Sequence, residues 1–390
     1  MEITVTDEMI AELVELIKTL TAIPAPSHQE DRRVQFILNY LTDCGYEPFV
    51  DEAKNVLVEI SEAETEEGFY LYTAHTDTVF PDTDTIPVRQ EDGKLFGPGV
   101  GDDTANACGM LLALKYLHKL GLKTKHPVVY VFDSCEEGLG NLKGMWAAYQ
   151  RYENTIKRHI AFDGSTDHVV NRAVGSKRYE FTIETIGGHS FNAFGRKNAI
   201  ALAAKMIQAL YEMKVDDLPG KTTYNVGQIS GGTSVNTIAQ KATFLFEYRS
   251  DRQEHMEVMR KRAEDALADA MQVRMELMDG TRWKLDDETT VNVKVIGDRP
   301  GMGAVDAVLQ AELSDYVKQK LVSFTGVEPD FTSGSTDCNI PLSKGIPAVC
   351  FGIYLGELQH TREEWISIDS LKAGMQTLFS VILDDCVKNI

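Results

Sequence analysis

The chain has 390 residues, of which 43% are hydrophobic and 25% charged, as is typical of a soluble globular protein long enough for two domains. Its 59 acidic residues outnumber its 39 basic residues and give a net charge of −20, which disfavours nucleic acids and anionic membranes as partners. No apolar run approaches the roughly 18 residues that a membrane-spanning helix needs.

Helices and strands alternate in the first part of the sequence. Apolar residues at helical spacing predict helices near residues 6–21, 28–43 and 104–120. Runs of β-branched and aromatic residues predict strands at 55–60, 69–77, 127–133 and 159–164. This alternation predicts an α/β fold with a mixed, largely parallel sheet and helices on both faces.

The pattern changes near residue 176, where "KRYEFTIETIG" alternates polar and apolar residues as a half-exposed strand does. A helix near 197–213, two strands, a helix near 253–272 and another strand follow, in the order β-α-β-β-α-β. This order predicts an inserted ferredoxin-like α+β domain over 176–298. The helix–strand alternation then resumes, so we expect 1–175 and 299–390 to form one discontinuous domain.

The cysteines and the N-terminus indicate the cellular compartment. The six cysteines form no C-x-x-C pair, and the acidic, amphipathic N-terminus lacks the basic region and continuous apolar core of a signal peptide. We therefore expect a cytoplasmic protein with free, mostly buried thiols. The cysteines are Cys44, Cys108, Cys135, Cys338, Cys350 and Cys386.

Seven acidic or histidine residues follow predicted strands or occupy a Gly-rich turn, and they could form a metal site. They are His75, Asp77, Asp102, Glu136, Glu137, Asp163 and His360. Each has a structural alternative. A histidine at a strand end can be a core residue, and an aspartate before a helix can be an N-cap. Two adjacent glutamates can be a solvated pair on the surface. Their joint occurrence at the carboxyl ends of parallel strands, where open α/β sheets bind ligands, predicts a metal site.

This ordered set resembles the dinuclear zinc exopeptidases related to peptidase T, carboxypeptidase G, aminoacylase and succinyl-diaminopimelate desuccinylase. The resemblance covers nearly the whole chain. It extends to the motifs "GGHS" (Gly187–Ser190), "GGTSVNTIA" (Gly231–Ala239), "EYRSD" (Glu247–Asp251) and "SGSTDCNIPLSKGIPAVCFG" (333–352). The segments "FEYRS" and "GGHSFNAFGRKNAI" are most similar to peptidase T-like members. Thr104, Ala105 and Asn106 depart from the lysine and paired glycines of many relatives, but these positions are not ligands.

The resemblance implies two Zn²⁺ ions per subunit, with Co²⁺ or Mn²⁺ as possible substitutes. Asp102 would bridge the two ions. His75 and Asp163 would complete the coordination of one ion, and Glu137 and His360 that of the other. In such relatives the peptide bond after the bridging aspartate is often cis.

The resemblance also implies catalytic and substrate-binding roles. Glu136 would remain unligated and act as the general base, Asp77 would orient His75, and His189 would donate a hydrogen bond to the oxyanion. The implied substrate contacts are Asn236, Arg249, Gly334 and Ser335. A loop-fixing histidine and a strand-end ion pair are the structural alternatives for His189 and Arg249. The inserted domain would serve as a lid and form a homodimer, with His189 acting within its own subunit or across the dimer.

We therefore predict a metal-dependent exopeptidase that hydrolyses the amide bond of short peptides, through a water activated by two zinc ions and a glutamate general base. An N-acyl amino acid deacylase is an alternative function, because exopeptidases and such deacylases both cleave an amide bond beside a free carboxylate. A non-catalytic peptide- or amino acid-binding protein is disfavoured because every expected site residue is present. A cysteine hydrolase at Cys108 or Cys135 is disfavoured because neither residue lies in a recognisable Cys/His arrangement.

Overall fold

The computed structural model describes residues 3–61 and 68–387, and the chain divides into two compact units. The larger unit comprises Met1–Ala173 and Gly303–Ile390, and the smaller unit comprises Val174–Met302. The insertion boundaries predicted from the sequence, 176 and 298, fall inside the smaller unit.

Up to residue 173, the described residues form four α-helices and nine strands. Thr6 caps the first helix by accepting a hydrogen bond from the backbone of Met9, and Gly121 ends the third in a left-handed conformation at φ +59°. The helices are α1 (Asp7–Thr21), α2 (Asp31–Asp43), α3 (Asn106–Leu120) and α4 (Lys143–Arg151). The strands are β1 (Phe49–Val50), β2 (Val56–Ile60), β3 (Phe69–His75), β4 (Arg89–Glu91), β5 (Lys94–Phe96), β6 (Lys123–Thr124), β7 (Val128–Asp133), β8 (Ile156–Phe162) and β9 (His168–Ala173).

The smaller unit is an antiparallel sheet with two helices. Its elements are β10 (Gly175–Glu184), β11 (Gly188–His189), α5 (Ala199–Tyr211), β12 (Thr222–Gly231), β13 (Thr237–Ile238), β14 (Lys241–Ser250), α6 (Gln253–Met271), β15 (Arg282–Asp286) and β16 (Thr289–Arg299). The sheet has the strand order β12-β14-β10-β16-β15, and α5 and α6 share its core through Met206, Phe244 and Met259. The four long strands and two helices follow the predicted β-α-β-β-α-β order. β15, an edge strand beside β16, is not predicted from the sequence.

The chain then returns to the larger unit. Its remaining elements are α7 (Ala307–Thr325), β17 (Asp330–Gly334), α8 (Asn339–Ser343), β18 (Ala348–Phe351), β19 (Gly356–Glu357), β20 (Trp365–Ser367), α9 (Leu371–Asp384) and β21 (Cys386–Val387).

The larger unit is built on an eight-stranded sheet of order β1-β2-β7-β3-β8-β18-β9-β17. The central strands β7, β3, β8 and β18 run parallel to one another. Alternate residues of β7 enter two different cores: Tyr130 and Phe132 pack with residues of α1, α3 and α9, whereas Val129 and Val131 pack with residues of α4 and α8. The predicted mixed, largely parallel sheet with helices on both faces is therefore confirmed.

Two expectations drawn from composition can be compared with the structure. All six cysteines are free, and all except the half-buried Cys44 are buried, as predicted. Within the described ranges, no helix combines the length and the apolar composition that crossing a bilayer requires.

Candidate metal centre

Three neighbouring parallel strands bring the predicted ligands to one edge of the sheet. His75 ends β3, Asp163 directly follows β8, and Glu137 lies four positions after the end of β7. Because parallel strands place their carboxyl ends at the same edge, these side chains converge. Two loops supply the other ligands: Asp102 lies in a wide helical turn before α3, and His360 lies between β19 and β20.

Asp102 is the residue shared by two groups of donor atoms. Its Oδ1 lies 3.0 Å from Nε2 of His75, and its Oδ2 lies 3.0 Å from Nε2 of His360. Nε2 of His360 is also 3.0 Å from Oε1 of Glu137. In each of the sets His75–Asp102–Asp163 and Asp102–Glu137–His360, the donor atoms lie within 4.8 Å of one another. Two adjacent three-residue groups that share one carboxylate fit a pair of metal ions.

Glu136 lies beside these groups and belongs to neither. Its side-chain donor atom is within 4.8 Å of donor atoms of His75 and Glu137. Both glutamates are buried, with exposed fractions of 4% and 6%, so neither is the solvated surface pair considered as an alternative.

Asp77 connects the end of β3 to the turn that carries the two glutamates. Its Oδ1 accepts a hydrogen bond from the backbone N–H of Glu136 at 2.9 Å, and its Oδ2 accepts one from Glu137 at 3.1 Å. Ser27 donates its hydroxyl to the same carboxylate at 2.6 Å, and Nδ1 of His75 lies 3.4 Å from Oδ1. Burial opposes ionisation, but the contacts with His75 and Ser27 lower the pKa of Asp77. Asp77 therefore binds the backbone of both glutamates and lies beside the ring of His75, where its predicted orienting role would place it.

The charges of the cluster favour a bound cation. Burial and the nearby charge of Asp102 raise the pKa of Asp163 to about 7 and also raise the pKa of Glu137. Hydrogen bonds to Asp102 and Glu137 raise the pKa of His360 to about 11. Burial opposes protonation of His75, but its hydrogen bond to Asp102 and the neighbouring carboxylates hold its pKa well above the usual range. Buried carboxylates that repel one another, combined with imidazoles, are a donor set that suits divalent metals such as zinc.

Three residues in or against the loop that carries Asp102 have no role predicted from the sequence. Asp103, joined to Asp102 by a cis peptide bond, accepts hydrogen bonds from the backbone of His75 at 3.0 Å and the side chain of Asn106 at 2.7 Å. The Asn106 side chain also donates to the carbonyl of Gly164 at 3.1 Å. Asn106, one of the departures from the family pattern, therefore links the Asp102 loop to the end of β8.

Glu364 is the third of these residues. It is only 1% exposed, and its carboxylate accepts hydrogen bonds from backbone N–H groups of the Asp102 turn. The sequence "TREEW" contains a weak signal for it, because an acidic residue stands directly before the apolar pair Trp365–Ile366.

Gly334 and Ser335 lie at the end of the edge strand β17 and are half-buried. Their proposed contact with substrate stays a prediction.

His189, in the smaller unit, is exposed, and its imidazole accepts two hydrogen bonds from the backbone that follows it. Its Nδ1 accepts hydrogen bonds from the backbone N–H groups of Phe191 at 3.2 Å and Asn192 at 3.5 Å. A ring nitrogen that accepts hydrogen bonds carries no proton, so the neutral ring carries its proton on Nε2. His189 can therefore present a hydrogen-bond donor at Nε2.

Asn236 and Arg249 also lie in the smaller unit. The backbone carbonyl of Asn236 accepts a hydrogen bond from Ser190 at 2.9 Å, so Asn236 neighbours the His189 turn. Nε and Nη2 of Arg249 donate to the two carboxylate oxygens of Glu247, at 3.1 and 3.2 Å. This is the strand-end ion pair considered as the alternative for Arg249, and it also holds the guanidinium in one orientation.

Comparison with known proteins gives both a sequence match and structural matches. Residues 71–384 match the profile of peptidase family M20/M25/M40. A succinyl-diaminopimelate desuccinylase from Corynebacterium glutamicum is 24% identical over 383 residues, covering 93% of this chain and 94% of that protein. The crystal structure of aminopeptidase PepT from Bacillus cereus superposes with a TM-score of 0.72 at 22% identity, covering 96% of this chain and 98% of that one. A dinuclear metal-binding peptidase from Bacillus subtilis superposes with a TM-score of 0.62 at 17% identity, covering 97% of this chain and 100% of that one.

Proposed function

The chain belongs to peptidase family M20/M25/M40 and is a hydrolase of amide bonds, and on this premise we propose that it is a metal-dependent exopeptidase acting on short peptides. The observation that carries the proposal is the carboxylate of Asp102, which faces a histidine with each of its two oxygens. The name of the Bacillus subtilis neighbour, a dinuclear metal-binding peptidase, gives further support for two ions.

The residues that would hold the ions follow from the donor groups. His75, Asp102 and Asp163 would bind one ion, and Asp102, Glu137 and His360 the other. When bound, two divalent ions supply Lewis acidity at the substrate carbonyl and lower the pKa of water, and zinc, cobalt and manganese are suitable.

Glu136 carries the proton transfers. It accepts a proton from the attacking water as the water oxygen bonds to the carbonyl carbon, and it delivers that proton to the amine as the C–N bond breaks. Glu136 lies outside the two groups that share Asp102 but forms a third group of donor atoms with His75 and Glu137, and this position beside two proposed ligands supports its role.

Residues of the smaller unit are proposed to bind the reacting group and the substrate. Nε2 of His189 donates a hydrogen bond to the developing oxyanion, which is the role that its tautomer supports. Arg249 binds the free carboxylate of the substrate with Nη1, for which the described residues provide no partner, while Glu247 fixes the guanidinium plane. Asn236, Gly334 and Ser335 make the remaining contacts. We further propose that this unit acts as a lid and forms a homodimer, as the sequence resemblance implies.

An N-acyl amino acid deacylase is the second candidate. The match to a desuccinylase over 93% of the chain favours it, because that enzyme removes an acyl group from an amino acid nitrogen. The structural match to an aminopeptidase favours a peptide substrate. Both reactions use the same metal centre and the same proton transfers.

A substrate panel separates the two candidates. The protein is first freed of metal with a chelator and then reloaded with zinc, cobalt or manganese. Dipeptides, tripeptides and N-acetyl and N-succinyl amino acids are assayed at equal concentration, and the products are identified by mass spectrometry. Faster release of amino acids from peptides supports the exopeptidase, whereas faster release of acetate or succinate supports the deacylase. Equal inactivity on all substrates with every metal would refute both.

A further inference from the structure

We propose that Glu364 is a positioning residue that fixes the bridging aspartate of the metal centre and thereby sets its metal affinity. This inference rests on the proposed two-metal site. It concerns a side chain that lies outside both donor-atom groups and would touch neither the ions nor the substrate.

The carboxylate of Glu364 accepts three hydrogen bonds from one turn of the backbone. Its Oε2 accepts from the N–H of Gly99 at 2.7 Å, and its Oε1 accepts from Gly101 and from Asp102, each at 2.9 Å. Three N–H groups that converge on one point form an anion-binding concavity. Because Glu364 is 1% exposed, water cannot replace the carboxylate as their partner.

The geometry of the turn depends on this arrangement. Gly99 adopts a left-handed φ of +72°, and a Cβ on Gly101 would lie 2.6 Å from the ring of Tyr354. Asp102 itself has a non-helical backbone, with φ −95° and ψ 97°. The ring of Tyr354 therefore leaves no space for a side chain at Gly101, and the carboxylate of Glu364 binds the N–H groups of the same turn.

The same residue connects the two segments that carry Asp102 and His360. The backbone carbonyl of Glu364 accepts a hydrogen bond from Gly97 at 3.0 Å, and Trp365 pairs with Phe96 across β5 and β20. His360 lies four positions before Glu364. Glu364 thus lies where the β5–β20 ladder meets the Asp102 turn, so its carboxylate sets the position of one ligand relative to the other.

Metal ligation tolerates little displacement, since ligand distances must stay within about 0.2 Å of their ideal values. In Glu364→Gln the amide oxygen can still accept hydrogen bonds, but the amide NH₂ must face a backbone N–H. One donor then loses its partner, and the turn shifts. Loss of such supporting contacts lowers metal affinity by about 10- to 100-fold.

The test is a calorimetric titration of metal-free protein with zinc in the presence of a competing chelator. Wild type is expected to bind two ions, and Glu364→Gln to bind them about 10- to 100-fold more weakly. The rate of Glu364→Gln at saturating zinc should fall far less than that of Glu136→Gln, because the general base is unchanged.

Two matched variants separate positioning from general stability. Glu363→Gln changes the exposed neighbour and should bind zinc as wild type does. Asp385→Asn removes a buried carboxylate that pairs with Tyr72 and Arg158, so it should lower the melting temperature without changing zinc affinity. A parallel loss of zinc affinity in Asp385→Asn would mean that any destabilisation has this effect, and the role of Glu364 would be overturned.

The outcomes distinguish this proposal from the proposed function. Two tightly bound ions in both wild type and Glu364→Gln would overturn the role of Glu364 alone. A wild type that binds neither zinc, cobalt nor manganese would overturn the metal-dependent function and this inference with it. If Glu364→Gln does not fold, Glu364→Asp, which keeps the charge but is one methylene shorter, replaces it. Wild-type affinity in that variant would equally overturn the proposal.

Discussion

Replacing Glu136 by glutamine should abolish proton transfer while leaving the metal centre intact. The substitution preserves the size of the side chain, which is only 4% exposed, and it leaves the backbone hydrogen bond to Asp77 in place. What changes is the ability of the side chain to accept a proton. General acid–base catalysis contributes about 10²- to 10⁴-fold, so kcat should fall by at least about 100-fold. At 1.36 kcal/mol per decade this corresponds to about 3 to 5 kcal/mol of barrier.

Glu137→Gln is the matched control, since it makes the same chemical change one residue along the chain. Oε1 of Glu137 lies 3.0 Å from Nε2 of His360, inside a donor-atom group. Glutamine ligates metal more weakly than a carboxylate, so this variant should lose metal, and excess zinc should restore part of its activity.

The assay combines steady-state kinetics on the best substrate of the panel with metal analysis of the dialysed protein. Glu136→Gln should retain wild-type metal content and should not respond to added zinc. The reverse pattern, with Glu136→Gln short of metal and Glu137→Gln fully loaded but inactive, would refute the assignment of the two glutamates.

Three further predictions address the rest of the site. A chelator should abolish activity, and saturating zinc should restore it with two ions per chain; metal analysis that finds one ion or fewer would contradict the sharing of Asp102. His189→Ala should lower kcat by about 100- to 1,000-fold with unchanged metal content, and wild-type kcat would identify His189 as a loop-fixing residue. Arg249→Ala should lower kcat/KM by about 30- to 1,000-fold for substrates with a free carboxylate, which corresponds to about 2 to 4 kcal/mol. Amidated substrates should lose little more in that variant, and equal losses on both kinds of substrate would show that Arg249 supports the fold of its unit.

The predictable part of the site follows from one physical regularity. Apolar strands such as β7 and β8 are recognisable in the sequence, and the polar residue after such a strand lies at the edge of the sheet. The sequence therefore predicts that His75, Glu137 and Asp163 lie at the same edge of the sheet. The roles given to Asp102 and His360 came from the family resemblance, because loops carry no such regularity.

The unpredicted part consists of contacts between distant segments. Glu364 is separated by 262 positions from Asp102, and its partners are backbone N–H groups, which every non-proline residue possesses. Apart from the acidic residue directly before the apolar pair Trp365–Ile366, no local pattern of residue types points to such a contact. The edge strand β15 was missed for a different reason: its sequence "RWKLD" alternates charged and apolar residues, with Trp283 buried, but the run has only five residues.

The order of the ligands along the chain has a consequence for protein synthesis. His75, Asp102 and Asp163 all precede the inserted unit, whereas His360 follows it. The sheet of the larger unit is also completed only after the inserted unit has been made. Its strand β18 lies between β8 and β9 in the sheet but follows the insertion in the sequence. On the ribosome, the group His75–Asp102–Asp163, proposed to hold one ion, is therefore translated long before the group that includes His360 is complete. On the proposed assignment, a chain that ends before His360 lacks one ligand of the second ion, so we expect hydrolytic activity only after residue 360 has been made.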